Sequence, residues 1–298
     1  MRIAMLLEAA TGIAGISFYS FCVEPRMFRQ RKKQIHLPGY DLPPLHILHL
    51  SDFHFYRGKT IRKRFLQTLA DQSKPDLILI TGDLIDDDTG IDLCLESLRP
   101  FRAKYGIYCV FGNHDYFFVR FRDIFHKAGS YIKRARLPNN TARLEQGLHK
   151  LGIPVLRNER LELNIEGHPL TLAGLDDPYL FKDDIEKTFA GYKKSGPCLV
   201  LSHTPDRYAE LREKGADILF SGHTHGGQIR FPFFGPLVTR TTAPRHLVYG
   251  LTHLDGLYVY NTSGVGNSRF CYPRLLCPPE VTYFDVRFKT DKTKETSR

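Results

Sequence analysis

The sequence predicts an α/β protein built on a largely parallel β-sheet. Short apolar runs alternate with segments of helical spacing, the pattern of strand–helix–strand units. Many of those runs end on a polar or glycine-rich stretch, as strands do where they leave a sheet for a loop. Apolar residues make up 42% and charged residues 25% of 298 residues, enough to bury a core.

Residues 1–25 stand apart. Ile3 to Val23 is apolar or small except for Glu8 and a few hydroxyls. As a helix of about 21 residues it would reach roughly 30 Å, one hydrocarbon core. A hydrophobic anchor helix is therefore expected over 1–25. An interfacial helix and a cleaved signal peptide compete with it, but no small-x-small cleavage site precedes Glu24-Pro25. Arg26, Arg29, Arg31, Lys32 and Lys33 follow. Positive residues stay inside, so the rest of the chain is expected on the cytoplasmic side of the inner membrane. Residues 26–44, closing in HLPGYDLPP, read as a basic linker.

The catalytic domain is expected over 45–288. Strands are predicted at 45–50, 76–81 and 106–111, with helices over 60–72 and 91–103. The second half is richer in strands, at 153–157, 160–165, 170–175, 197–202, 217–221, within 246–262 and at 280–288. Helices are predicted over 181–191 and near 205–214. The charged tail 289–298 reads as disordered.

The formal net charge of +10 favours anionic partners such as phosphates or an acidic membrane face. Six cysteines, at 22, 94, 109, 198, 271 and 277, form no CxxC pair. Cys94, Cys109 and Cys198 lie in apolar runs, so reduced core thiols in a reducing compartment are expected.

The polar strand ends carry the chemistry. Asp52 and His54 follow the first strand, Asp83 the second, Asn113 and His114 the third, His203 the strand at 197–202, and His223 and His225 the strand at 217–221. In open α/β sheets such positions converge. Carboxylate, imidazole and amide oxygen together suit borderline-hard divalent ions, with Mn²⁺ placed first and Fe²⁺, Zn²⁺ and Co²⁺ as alternatives. Two ions about 3.5–4 Å apart need a bridging ligand. Asp83, following Gly82, is the natural bridge, and the glycines at 222, 226 and 227 let the histidine loop turn tightly.

Asp52-Phe-His54, Gly82-Asp83, Gly112-Asn113-His114-Asp115, His203 and Gly222-His223-Thr-His225, in that order, resemble the motif series of the calcineurin-like metallophosphoesterases. The resemblance covers about 45–288. It implies a four-layer α/β/β/α sandwich. Asp52, His54, Asp83 and His225 would hold one ion, and Asp83, Asn113, His203 and His223 the other. His114 would face the leaving group, and Asp115 would orient it. A water shared by the ions would be the source of the attacking hydroxide. The apolar N-terminus, HTHGGQIRFPFFGP and SGVGNSRF…PRLLCPPEV look like the YkuE-like membrane-associated branch. Within it the pattern is similar to chlamydial-type UDP-2,3-diacylglucosamine hydrolases of lipid A synthesis. That similarity implies release of UMP from a lipid-linked nucleotide.

Residues 116–143 are expected to form a lid, a basic aromatic insertion at the membrane interface. An ordinary surface helix with its aromatic face on the core is the plainer alternative. Arg120, Arg122 and Arg134 are candidate phosphate or headgroup contacts, and Phe117 and Phe121 candidate acyl-chain contacts. Arg230 and Arg269 are further candidate phosphate contacts. Phe231, Phe233 and Phe234 would extend an apolar rim or pack in the core. Soluble phosphoesters or phosphoproteins are the alternative substrates, and a non-catalytic interaction module is a minor alternative. No specific nucleic-acid partner is expected, because the positive charge concentrates beside the apolar anchor and in the lid.

Overall fold

In a computed structural model, which describes residues 2–58, 60–118, 137–269 and 271–288, the chain folds around two β-sheets. The strands in chain order are β1 (Arg29–His36), β2 (Leu45–Leu50), β3 (Leu77–Thr81), β4 (Ile107–Val110), β5 (Phe117–Phe118) and β6 (Leu137–Pro138). They continue as β7 (Glu159–Ile165), β8 (His168–Gly174), β9 (Cys198–Leu201) and β10 (Ile218–Ser221). Next come β11 (Arg230–Phe231), β12 (Gly235–Pro236), β13 (Gly250–Leu254), β14 (Leu257–Asn261) and β15 (Glu280–Arg287). The α-helices are α1 (Arg2–Phe18), α2 (Thr60–Gln72), α3 (Ile91–Leu98), α4 (Asn113–Tyr116), α5 (Thr141–Lys150), α6 (Ile185–Thr188) and α7 (Tyr208–Glu213).

The first sheet runs β1-β15-β2-β3-β4, and only the β15–β2 pair is antiparallel. The second runs β13-β14-β10-β9-β8-β7, parallel through its centre and antiparallel at both rims. Side chains alternate across each strand with period two. Leu45 and Ile47 join one apolar cluster with Leu77, Leu79, Leu199, Leu201, Ile218 and Phe220 from both sheets. Leu48, Leu50, Ile78 and Ile80 point the other way, toward residues of α2, α3 and α5. Cys198, Val200 and Leu219 line a third cluster with Ile185 and Leu211 of α6 and α7. Strands buried on both faces read as unbroken apolar runs, which is why they stand out in the sequence.

Several expected boundaries change. The basic linker contains β1, an edge strand paired in parallel with β15. Its charges hid it: an edge strand carries little apolar pattern, and Arg and Lys there discourage pairing with another chain. The helix expected over 91–103 ends at Leu98, two residues before Pro100. At 153–157 only Val155 forms a bridge, to Cys109; Pro154 has no amide to extend a ladder. The helix expected over 181–191 is a short 3₁₀ turn, Pro178–Leu180, followed by α6, which Asp184 caps through the Lys187 amide at 2.8 Å. Residues 246–262 hold a short 3₁₀ turn and then a hairpin, turned by Asp255 and Gly256, both with positive φ. The described ends of the expected lid form the antiparallel pair β5–β6 and the start of α5 rather than one helix. The expected tail lies outside the described residues.

Among the described residues, no helix is long and apolar enough to cross a membrane. α1 has 17 residues, and the expected anchor's last part turns instead into a π-helical segment (Tyr19–Val23) and a 3₁₀ turn (Glu24–Arg26). Ser20, Glu24 and Pro25 are buried. All six cysteines are free thiols, and four are buried.

His49 sits between the sheets, its Nε2 2.9 Å from Thr81 Oγ1 and its ring edge-on to Tyr260. Burial lowers its pKa to about 3. The folded state therefore binds fewer protons here than the unfolded chain below about pH 6.5, and stability falls with pH through that window. Between pH 6.5 and 5 this one group should cost about 2 kcal/mol. Denaturant titrations at the two pH values should show a smaller drop for His49→Gln than for the parent, because glutamine keeps a donor for Thr81 without titrating.

Candidate metal centre

The ends of β2, β3, β4, β9 and β10 open toward one another. Asp52 and His54 follow β2, Asp83 follows β3, Asn113 begins α4 just after β4, His203 follows β9, and His223 and His225 follow β10. All are buried. Five of these residues, Asp52, His54, Asp83, His223 and His225, have positive φ between 46° and 67°. Left-handed backbone costs a non-glycine residue about 1 kcal/mol or more, so the sheets must hold it in place. Packing around it is tight: a Cβ on Gly112 would lie 2.4 Å from Asp83 Oδ1 and 2.6 Å from His203 Cε1. On Gly222 it would lie 2.4 Å from Asp52 Oδ2.

Three three-residue groups result among the described residues: Asp52–His54–His225 and Asp83–His203–His223, which hold the expected ligands, and His54–Asp86–His114 beside them. In the first, His54 Nε2 and His225 Nε2 face each other at 3.0 Å, and Asp52 Oδ1 lies 3.7 Å from His225 Nε2. In the second, His203 Nε2 and His223 Nδ1 are 3.1 Å apart. Asp83 belongs to both: its Oδ2 is 3.5 Å from His54 Nε2 and its Oδ1 3.3 Å from His203 Nε2.

The far side of three imidazoles fixes what the near side can do. His54 Nδ1 donates to Asp86 Oδ1 at 2.7 Å, His203 Nδ1 to the Thr81 carbonyl at 2.7 Å, and His223 Nε2 to the Arg240 carbonyl at 3.1 Å. With those protons placed outward, the inward nitrogens of the neutral rings are bare lone pairs, as metal-binding histidines require. Asn113 Oδ1 is a buried acceptor with no partner. Buried acceptors without donors are costly, so this set fits divalent ions and poorly fits an empty polar pocket. His225 differs, because its Nδ1 faces the Arg274 guanidinium at 3.4 Å.

The electrostatics agree. Burial disfavours charge on His203, yet Asp83 outweighs it and pushes its pKa up to about 10. Burial also works against the Asp83 anion, but His203 and His114 hold its carboxyl well below the usual range. Burial and the neighbouring His203 lower His223 to about 3. The pocket thus favours positive charge beside the Asp83 carboxylate, on His203, and disfavours it on the His223 ring.

His114, 12% exposed at its side chain, stacks edge-on against His54, and its Nδ1 lies 3.0 Å from Asp86 Oδ1, too poorly aligned for a hydrogen bond. Asp115, expected to orient His114, does something else. It accepts from the amides of Leu84 (2.8 Å), Ile85 (3.2 Å) and Gly112 (2.9 Å), so it pins the Asp83 loop to the Asn113 turn. Burial and Asp83 push its carboxyl up to about 7. The carboxylate that reaches His114 is Asp86, which burial would raise but which His54 and His114 hold well below its ordinary value.

Asp86 was missed because GDLIDDD also reads as a solvated turn; a carboxylate behind a liganding histidine was the usable signal. Two buried guanidiniums were also missed. Arg62 of α2 donates to the carbonyls of Phe53 (2.7 Å), His54 (2.6 Å) and Asn267 (2.9 Å). Arg274 donates to the carbonyls of Ser263 (2.8 Å), Gly266 (2.6 Å) and Cys277 (2.9 Å) and to Asn267 Oδ1. Beside it, the Glu24 carboxylate accepts from the amides of Leu276, at 2.9 Å, and Cys277, and the Arg274 amide donates to the Ser20 carbonyl at 2.9 Å.

Of the expected substrate contacts, Arg120, Arg122, Arg134 and Phe121 lie outside the described residues. Phe117 pairs with Pro138 across β5–β6. Arg230 donates to the Gly226 carbonyl at 2.9 Å and stacks on Tyr249, bracing the glycine turn. Arg269 pairs with Asp87 and lies over Tyr56 and Phe118, while its amide donates to Asp86 Oδ2 at 2.5 Å.

Comparison with known proteins agrees with this geometry. Residues 45–227 match the calcineurin-like phosphoesterase family. The chain is 29% identical to the uncharacterized metallophosphoesterase YkuE of Bacillus subtilis (strain 168), over 95% of this chain and 94% of that protein. It is 29% identical to the phosphodiesterase YaeI of Escherichia coli (strain K12), over 92% and 93%. It is 27% identical to the UDP-2,3-diacylglucosamine pyrophosphatase LpxG of Chlamydia muridarum (strain MoPn / Nigg), over 69% of each.

Removing the carboxylate behind His54 should weaken metal binding without unfolding the chain. Asp86→Asn is expected to lower Mn²⁺ affinity about 10–100-fold. Competition with a metal-sensitive dye would measure it, with far-ultraviolet circular dichroism as the folding control. Parental affinity in a folded variant would exclude the role given to Asp86.

Proposed function

The chain belongs to the calcineurin-like phosphoesterase family, and from that premise we propose that it cleaves the diphosphate of UDP-2,3-diacylglucosamine, giving UMP and 2,3-diacylglucosamine 1-phosphate. Its general activity is that of a metal-dependent phosphoester hydrolase. The observation that carries the reading is Asp83, one carboxylate reaching two histidine sets at once. Three apolar clusters, one drawing on both sheets and two on outer faces, support the α/β/β/α layering the resemblance implies.

Two divalent ions, Mn²⁺ in this proposal, would be held by Asp52, His54, Asp83 and His225 and by Asp83, Asn113, His203 and His223, and they supply Lewis acidity and an activated water. His114 supplies what remains. Burial would lower its pKa, but Asp83 and Asp86 raise it, favouring the protonated form that can meet a leaving oxygen. Asp86 faces Nδ1 and leaves the other ring nitrogen for that transfer.

The substrate assignment is supported by the pyrophosphatase activity for which the chlamydial relative is named, the formal charge of +10 and the apolar N-terminal segment. In this reading the enzyme works at the cytoplasmic face of the inner membrane, with α1 lying in the interface and no specific nucleic acid bound. The name of the Escherichia coli relative favours a second reading, a phosphodiesterase of other esters.

Purified full-length protein with Mn²⁺ is expected to release UMP from UDP-2,3-diacylglucosamine, and chelation should abolish turnover. No UMP, with retained hydrolysis of bis(p-nitrophenyl) phosphate, would remove the substrate and keep the chemistry. His114→Ala should lower kcat about 10²–10⁴-fold while KM changes little. Unchanged kcat would take His114 out of the mechanism.

A further inference from the structure

The segment 228–240 leaves the metal centre and returns to it. It begins directly after His225 and Gly227, and it ends at Arg240, whose carbonyl accepts from His223 Nε2 at 3.1 Å. Between those points β11 and β12 form a two-residue ladder, and the excursion's exposed side chains are mostly apolar: Phe231, Phe233, Phe234, Leu237 and Val238. Phe233 is fully exposed and has φ of 63°. A bulky, fully exposed residue in left-handed backbone gains no packing among the described residues to offset the strain. We infer that this hairpin is a bilayer-docking tip that inserts between anionic phospholipids at the mouth of the metal centre. The inference deepens the membrane-lipid reading above and rests on it.

Charge names the occupant. Residues 228–248 carry Arg230, Arg240 and Arg245 and no Asp or Glu. Arg245 braces the tip, donating to the carbonyls of Phe234 (3.2 Å) and Pro236 (2.6 Å) with its guanidinium over the Phe234 ring. Apolar side chains bordered by arginines suit acyl chains under anionic headgroups. A second apolar element is tied to the same place. The Arg230 amide donates to the Leu275 carbonyl at 2.9 Å, and next to it the Leu276 amide donates to Glu24 at the end of the N-terminal segment. That segment exposes Ile13, Ile16 and Phe18, and Leu276 itself is exposed.

The chain contains no tryptophan, so Phe233→Trp in the full-length protein places one fluorophore at the tip. With vesicles of phosphatidylglycerol and phosphatidylethanolamine its emission should move to shorter wavelength and be quenched by lipids brominated in the acyl chain. Pure phosphatidylcholine vesicles should bind at least about tenfold more weakly, given three arginines near the surface. Emission unmoved by the anionic vesicles overturns the proposal. So does a concentration-dependent shift without lipid, which would mean that a second copy covers the tip. The two proposals fail separately. A lipid-dependent shift without UMP release sinks the substrate and spares the docking tip, and UMP release with an unmoved spectrum does the reverse.

Discussion

Asp83 must present its two oxygens to two different histidine sets, and much of the local structure follows from that demand. A carboxylate can do this only if its own backbone is turned out of the strand geometry that delivers it, and Asp83 takes left-handed φ immediately after β3. The space around it must also be nearly empty of side chains, which Gly112 provides at 2.4 Å from a hypothetical Cβ to Oδ1. Asp115 then ties the Leu84 and Ile85 amides to the Gly112 amide, so the two loops cannot drift apart. The carboxylate that the motif resemblance assigned to orienting His114 instead keeps Asp83 in position.

The same economy governs the imidazoles. Each of His54, His203 and His223 gives its outward proton to an oxygen fixed by the scaffold: a carboxylate, the last residue of β3, and the end of the β11–β12 excursion. Bare inward nitrogens repel one another unless a cation lies between them. The pocket therefore trades folding stability for affinity, as the strained φ values at five of its residues also indicate. The two packed sheets supply that stability elsewhere, with Leu79, Leu201 and Phe220 fully enclosed between them.

The positions of the polar strand ends were legible in the sequence because parallel strands buried on both faces leave a plain apolar run and then stop. LHILHL, DLILIT and DILFS gave β2, β3 and β10 almost to the residue. What failed was whatever lacks that pattern. β1 is charged because it is an edge, and so it resembled a linker. Asp86, Arg62 and Arg274 each hold several loop groups at once through contacts that no periodicity encodes, and Arg274 looks like one more basic residue although it is completely buried. Hydropathy, the flanking charge and the missing cleavage site all describe the N-terminal stretch as a segment by itself, and none reveals that Ser20 and Glu24 face inward.

That inward face changes what the N-terminal segment is. Glu24 is the acceptor for the amides of Leu276 and Cys277, and the Ser20 carbonyl takes the Arg274 amide. Arg274 in turn reaches His225. A greasy leader clipped off for easier handling would thus leave three backbone N–H groups without their acceptors and loosen the cradle under one imidazole. Residues 20–25 are a keystone of the catalytic body, and any shortened protein that hopes to keep its ions must begin upstream of them.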